Sequence, residues 1–255
     1  MKQDMSADTA GTEKSVKAAQ PQKNQKNLYE PYSTPRIIWE LILRPLGWTI
    51  FFLTMHLRLR NRYNVPRRGP YIIAANHLSW TDIMLIPAAV PGNVFYMAKE
   101  EAFRGKFGWL VRFLGAFPVK RGEADRQAMR TADNLLKKNK VLVMFPEGTR
   151  SKTGTLAKGH AGLGMIALRS GVPVIPVAVW GSEHALKKFR APVTVCYGEP
   201  VVFKPKGAKV TREEIESATE EVMRRIAAML PARYRGVYGE AVEVREQIQQ
   251  EQKPN

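Results

Sequence analysis

From Tyr71 to Tyr197 the chain switches repeatedly between short apolar runs and longer stretches of helical period. Tyr71-Ile72-Ile73-Ala74-Ala75, Asn93 to Ala98, Ala116 to Val119, Val141 to Phe145, Val174 to Val179 and Val193 to Tyr197 read as strands. Val141-Leu142-Val143-Met144-Phe145 is apolar throughout, without alternation, which marks a strand covered on both faces. Between these runs, Ile83 to Ile86 begins one helix, Phe103 to Leu114 reads as another, and Asp125 to Lys138 carries Ala128, Ala132 and Leu135 on one stripe. Gly159 to Ser170 follows. Thr211-Arg212-Glu213-Glu214 is a capping box, and Ile215, Ala218, Val222 and Ile226 form one apolar face of a helix ending near Pro231. Strand and helix in alternation predict an α/β fold: a largely parallel central sheet flanked by helices.

The ends differ in texture. Residues 1–33 are polar, without an apolar period and without the apolar core of a secretory signal, and are expected to be a disordered tail. Residues 34–64 are apolar and basic, and are expected to form an N-terminal pair of amphipathic helices. The stretch from Pro45 to Leu57 has 13 residues, roughly 20 Å as a helix against a bilayer core of about 30 Å. Extending it backwards brings in Glu40, Arg44 and the helix-breaking Pro45. Two short helices lying in the membrane interface fit better than one span, with Trp39, Trp48, Phe51 and Phe52 as the apolar contacts. A pair of core helices packed on the domain is the alternative; it is disfavoured because apolar residues fall on nearly every side of the second helix. Residues 65–235 form the α/β domain, and residues 236–255 are expected to be a polar tail.

Charge sharpens this picture. The 255 residues carry a formal net charge of +17 and a pI near 10.1, which calls for an anionic partner: an acidic membrane surface, a phosphorylated substrate or nucleic acid. No nucleic-acid module is evident, and the basic clusters adjoin apolar segments, so the membrane and a phosphorylated substrate are the better readings. Cys196 is the single cysteine and lies in an apolar run, where a buried inert thiol is expected and an acyl-thiol intermediate has little support. The four histidines, His56, His77, His160 and His184, show no zinc spacing, so no metal is expected.

Candidate chemistry gathers at strand ends. His77 follows the Tyr71 strand and Asp82 lies five positions on, near a helix N-terminus. On one continuous helix the two would be about 140° apart, so a turn is needed for them to meet. A carboxylate accepting from one imidazole nitrogen fixes the tautomer and leaves the other as a base. Taken alone, such a pair is better explained by a loop-closing histidine and a helix-capping aspartate. Ser79 lacks a G-x-S-x-G elbow and reads as a loop residue. Two further strand ends carry Lys120-Arg121 and Glu147-Gly148-Thr149-Arg150. In open α/β sheets ligands bind beyond the carboxyl ends of the strands, so these arginines and the His–Asp pair are expected on one rim. Arginines converging there suit a phosphate, and Gly148 permits close backbone approach.

Asn76-His77-(four residues)-Asp82, Gly115 to Arg121, Phe145-Pro146-Glu147-Gly148-Thr149-Arg150 and Val172-Pro173-Val174-Ile175-Pro176-Val177 resemble, in order and spacing, the four motifs of the glycerolipid acyltransferases. More narrowly, the chain is similar to the bacterial 1-acylglycerol-3-phosphate acyltransferases over roughly Pro70 to Gly181. The resemblance implies acyl transfer from acyl-CoA or acyl-carrier protein to the hydroxyl of a lysophospholipid, without a further cofactor; 1-acylglycerol 3-phosphate is the expected acceptor, with glycerol 3-phosphate, another lysophospholipid or a lyso-aminolipid as alternatives. It places the enzyme at the cytoplasmic face of the cell membrane, as a monotopic or peripheral protein. His77 would be the general base and Asp82 its orienting carboxylate. Arg121 would bind the acceptor phosphate, and Glu147, Gly148, Thr149 and Arg150 would complete the acceptor site. Lys158-Gly159-His160-Ala161-Gly162 follows the family's basic-Gly pattern only loosely, so Lys158 receives no role.

Overall fold

The computed structural model of the chain describes residues 38, 41–42, 44–104, 106, 108–120, 125–185, 187–240 and 242, the side chains of Arg44 and Phe52 excepted. Seven strands run in chain order as β1 (Met55–Arg60), β2 (Tyr71–Ala75), β3 (Val94–Lys99), β4 (Ala116–Val119), β5 (Val141–Met144), β6 (Val174–Trp180) and β7 (Ala191–Tyr197). They form one sheet in the order β1-β7-β6-β2-β5-β3-β4. β6, β2, β5, β3 and β4 are mutually parallel, so their carboxyl ends share one edge. β7 returns antiparallel to β6, because the ten residues 181–190 between them are too few for a parallel crossover. β1 lies parallel to β7 at the sheet margin.

β2 is buried along its whole length, and its alternate side chains serve two cores. Ile72 and Ala74 face the helices α4 (Arg126–Lys137), α5 (Gly162–Ser170) and α6 (Arg212–Met229), whose stripes Ala128/Ala132/Leu135, Leu163/Ile166/Ala167 and Val222/Met223/Ile226 fill that layer. Tyr71, Ile73 and Ala75 face the other layer, built from Phe51 of α1 (Arg44–Thr54) and Leu85 of α2 (Asp82–Leu85), with Ile86 and Val90 beyond. Asp125 caps α4 by accepting from Gln127 N and Ala128 N, and Thr211 with Glu214 closes the capping box of α6.

The N-terminal segment departs from its expectation. The helix over Pro45 to Leu57 stops at Thr54, and the chain enters β1 at Met55, so the α/β domain begins about ten residues before the expected boundary at 65. The reason is local. Met55-His56-Leu57-Arg58-Leu59-Arg60 alternates strictly, with the apolar members turned inward and His56, Arg58 and Arg60 exposed. On α1, Phe51 does not reach the membrane side as expected but packs into the core against the sheet, whereas Leu46, Trp48, Ile50 and Leu53 are exposed; the side chain of Phe52 lies outside the described residues. Among the described residues no helix is long and apolar enough to cross a membrane. Trp39 and residues 1–33 lie outside the described residues.

Two other boundaries shift. The expected helix from Phe103 to Leu114 is a 3-10 turn at Glu100–Phe103 followed by the short helix α3 (Gly108–Phe113). Residues 236–242 do not behave as a polar tail: Tyr238 and Val242 are buried in the core, and the Tyr238 hydroxyl donates to Glu220 at 3.2 Å. Residues 243–255 lie outside the described residues.

Candidate active site

At the carboxyl end of β2 the buried Asn76 extends the sheet with its side chain. Its Nδ2 donates to the Val179 carbonyl at 2.8 Å and its Oδ1 accepts from Val179 N at 2.7 Å, satisfying the end of β6 while the main chain turns away. His77 sits on that turn. Its N–H donates to Glu147 Oε1 at 2.9 Å, its carbonyl accepts from Ser151 N at 2.7 Å, and its ring stacks on Phe145 with centroids 3.9 Å apart. The turn through residues 78–81 then brings Asp82 back beneath the ring.

Asp82 is fully buried, and its Oδ2 accepts three hydrogen bonds: from His77 Nδ1 at 2.9 Å and from Leu78 N and Ser79 N at 2.7 Å each. An ionised carboxylate can only accept, so the Nδ1 partner must be N–H, and the Nε2 lone pair is left as an acceptor. His77 Nε2 has no partner among the described residues. One carboxylate oxygen therefore fixes both the turn and the tautomer.

Glu147 lies beneath the loop rather than on its rim. Only 4% exposed, it takes His77 N on Oε1 and Ala157 N on Oε2, both at 2.9 Å, tying the β2 turn to the segment after β5. Burial pushes its carboxyl up to about 7, the two amide donors pulling the other way and Asp82 adding to the rise. Both oxygens are occupied, so any influence of Glu147 on a ligand passes through the loop it braces. Gly148 has φ +68°, and a Cβ there would meet His160 Cδ2 at 2.9 Å, so both backbone conformation and space favour glycine.

Thr149 and Arg150 are exposed at the rim, with the Arg150 guanidinium 4.5 Å from the centroid of the Trp80 ring. Trp80 is 59% exposed and stands in the turn between His77 and Asp82. Lys120 follows β4 on the shared carboxyl edge, three sheet positions from β2, or roughly 14 Å at the usual strand spacing. Arg121, the next residue, lies outside the described residues.

Sequence reasoning gave no role to Asn76 or to Trp80. Asn76 carried no separable signal, because its partner lies on a strand a hundred residues away; Trp80 did, as a large aromatic amid polar neighbours between His77 and Asp82. His56, on β1, and His184 are exposed, His184 lying 3.4 Å from Glu183. Cys196 is buried, and burial raises its thiol further above neutrality. Among the described residues no three His, Cys, Asp or Glu side chains gather to hold a metal ion.

Comparison with known proteins agrees with this geometry. The family model described as Acyltransferase matches residues 56–180, the stretch from β1 to the end of β6. The chain is 28% identical over 173 residues to a 1-acyl-sn-glycerol-3-phosphate acyltransferase of Bacillus subtilis, covering 67% of this chain and 86% of that protein. It is 35% identical over 127 residues to a lyso-ornithine lipid O-acyltransferase of Pseudomonas aeruginosa, covering 49% and 48%. Several other curated relatives are likewise matched over about half their length. Among solved structures, the 1-acyl-sn-glycerophosphate acyltransferase PlsC of Thermotoga maritima superposes with a TM-score of 0.55 at 30% identity, covering 73% of this chain and 78% of that one.

Proposed function

The chain belongs to the glycerolipid acyltransferase family, and from that premise we propose that it moves a fatty acyl group from a thioester to the free hydroxyl of 1-acylglycerol 3-phosphate, giving phosphatidic acid. The observation that carries this reading is the His77–Asp82 pair at the carboxyl end of β2, with Nδ1 anchored at 2.9 Å and Nε2 free.

The reaction needs little beyond that pair and a site for the acceptor. As the acceptor oxygen attacks the thioester carbonyl, His77 Nε2 takes its proton, and the buried Asp82 carboxylate stabilises the imidazolium that forms. Collapse of the tetrahedral adduct breaks the carbon–sulfur bond. The departing thiolate of coenzyme A or of acyl-carrier protein takes the proton from Nε2, which returns the histidine to its starting state. The thioester is already activated, so no acyl-enzyme is required, and the buried Cys196 takes no part. Arg121 and the exposed Arg150 bind the acceptor phosphate. Thr149 and Gly148 shape the mouth, and Glu147 acts through the loop it holds.

The enzyme works at a bilayer surface, on the cytoplasmic side. α1 turns Leu46, Ile50 and Leu53 outward on one face, an apolar stripe about 10 Å long on an 11-residue helix, with the exposed Trp48 on the other side. That length suits residence in the interface as a monotopic or peripheral protein.

The Pseudomonas relative supports a second reading of the acceptor alone: the same chemistry on a lyso-aminolipid. A panel of lysolipids offered with acyl-CoA to the purified chain, with products read by mass spectrometry, tests both. Phosphatidic acid formed from 1-acylglycerol 3-phosphate in preference to the other products supports the first reading. Acylation of lyso-ornithine lipid alone replaces it with the second, and no acylated product from any acceptor rejects both.

A further inference from the structure

Beside α1, away from the His77 turn, the surface holds a groove of about 520 Å³ lined by Trp48, Leu59, Arg62, Tyr63, Val65, Arg67, Ala88, Ala89 and Pro91. None of these belongs to the set built around His77. The groove is within the volume range of small-molecule sites, and its chemistry is divided. Leu59, Val65, Ala88, Ala89 and Pro91 make an apolar floor. Tyr197 fixes part of that floor from below, its hydroxyl donating to the Ile86 carbonyl at 2.8 Å and accepting from Ala89 N at 3.4 Å. Above the floor stand two aromatics, Trp48 at 37% exposure and Tyr63 at 81%, and two exposed arginines, Arg62 and Arg67.

The arginines set the chemistry of the occupant. Elsewhere on this surface many arginines meet a carboxylate: Arg104 with Glu100, Arg169 with Asp133, Arg212 with Glu216, Arg224 with Glu220 and Arg225 with Glu221. Neither Arg62 nor Arg67 has an acidic partner among the described residues, and no Asp or Glu lines the groove. An apolar floor with unneutralised guanidinium groups at the lip and amphipathic aromatics beside them fits an amphiphile with an anionic head. Trp48 ties the groove to α1, the helix proposed to rest at the interface, so the bilayer supplies that amphiphile.

We propose that this groove seats the head group of an anionic glycerophospholipid of the membrane, its phosphate on Arg62 and Arg67 and the upper part of its chains on Leu59, Val65 and Ala89. This lipid is not the acceptor: it orients the protein on the bilayer. Asp82 and the floor residue Ala88 lie on one continuous helical segment, α2 running directly into the 3-10 turn Ile86–Ala89. Six residues at 1.5–2.0 Å each put them roughly 10 Å apart along it. A head group held in the groove therefore sets the depth at which the His77 turn meets the lipid surface. The inference rests on the interfacial reading of α1 proposed above.

The test is co-sedimentation of the full chain with vesicles of phosphatidylcholine alone or with 30 mol% (about one third) phosphatidylglycerol, at fixed ionic strength. The wild type is expected to partition preferentially onto the anionic vesicles. The general attraction of an anionic leaflet is worth at most about fivefold per nearby surface cation, so with a direct phosphate contact added the Arg62→Gln/Arg67→Gln variant is expected to lose more than about 25-fold of that partition. The charge-matched control Arg58→Gln/Arg68→Gln, outside the groove, is expected to lose markedly less. Equal losses in the two variants would reduce the effect to general electrostatics and overturn the groove. Turnover on a short-chain, water-soluble lysophosphatidate separates the groove from the acceptor site. An unchanged KM in the Arg62/Arg67 variant is the expected result, and a raised KM would assign these arginines to the substrate. Wild-type protein that binds neither vesicle would overturn the inference together with the interfacial role of α1, while leaving soluble turnover as the separate measure of the proposed chemistry.

Discussion

Replacing Asp82 separates the two tasks that its single Oδ2 performs. In Asp82→Asn the amide oxygen can occupy the position of Oδ2 and keep all three hydrogen bonds, from His77 Nδ1, Leu78 N and Ser79 N. The NH2 group falls where Oδ1 lies, an atom without a hydrogen-bond partner among the described residues. The turn is retained, and the stability change should stay within about 2 kcal/mol. What disappears is the negative charge facing the imidazolium formed in the reaction, so kcat should fall about 10²- to 10⁴-fold. Asp82→Ala removes the acceptor as well, leaving the amides of Leu78 and Ser79 unpaired. At about 1–3 kcal/mol for each orphaned donor the loss is roughly 2–6 kcal/mol, or about 5–20 °C in Tm for a domain of this size. Thermal melts and single-substrate kinetics on the two variants read the tasks separately. Asp82→Asn protein that melts like the wild type and turns over within about threefold of it would refute the charge argument and leave Asp82 as a loop brace alone.

Other parts of the fold give independent predictions. Glu147 has a folded-state pKa of about 7 against an ordinary 4.5, so between those values the folded protein holds a proton that the unfolded chain has released. Its contribution to stability is complete below about 4.5 and is lost as pH rises through about 7, on the order of 3 kcal/mol over that window; Glu147→Gln should flatten this part of a Tm-against-pH curve, and an unchanged slope would exclude Glu147 as its source. At Gly164 a Cβ would overlap the Ile215 carbonyl oxygen, so Gly164→Ala must push α5 from α6 and should lose more than about 2 kcal/mol in denaturant unfolding despite alanine's better helix propensity. Trp80→Ala removes the face on which Arg150 rests, a contact of about 0.5–1 kcal/mol at an exposed site, and should raise the acceptor's KM a few-fold with kcat nearly unchanged, whereas Trp80→Phe should recover most of it.

The sequence makes the frame of this site legible because its signals are local. A continuous apolar run marks β2, the five-residue interval from His77 to Asp82 demands a turn, and apolar runs ahead of Lys120 and Glu147 mark strands ending on the same edge. Signals compete at Met55. The apolar content of residues 45–57 argues for helix, while the alternation Met55 to Arg60 argues for strand, and pairing with β7 decides for the strand. Non-local relations leave no such trace. Glu147 reads as part of an exposed motif, yet it is buried because the amides of His77 and Ala157 converge on it from segments 70 residues before and 10 residues after. Asn76 serves a strand reached only after 103 residues, and the groove at Arg62 is assembled from residues 48, 59–67 and 88–91. The reversal of β7 is a middle case, since the ten residues before it are visibly too few to cross back over the sheet.

On this mechanism His77 removes the acceptor proton in an acyl transfer to 1-acylglycerol 3-phosphate. The most direct measurement is the rate of phosphatidic acid formation from that acceptor and acyl-CoA, by mass spectrometry, for the wild type and for His77→Ala at matched folded concentration. Robust formation by the wild type and a rate about 10²- to 10⁴-fold lower for the variant are expected. Equal rates for the two proteins would contradict the mechanism.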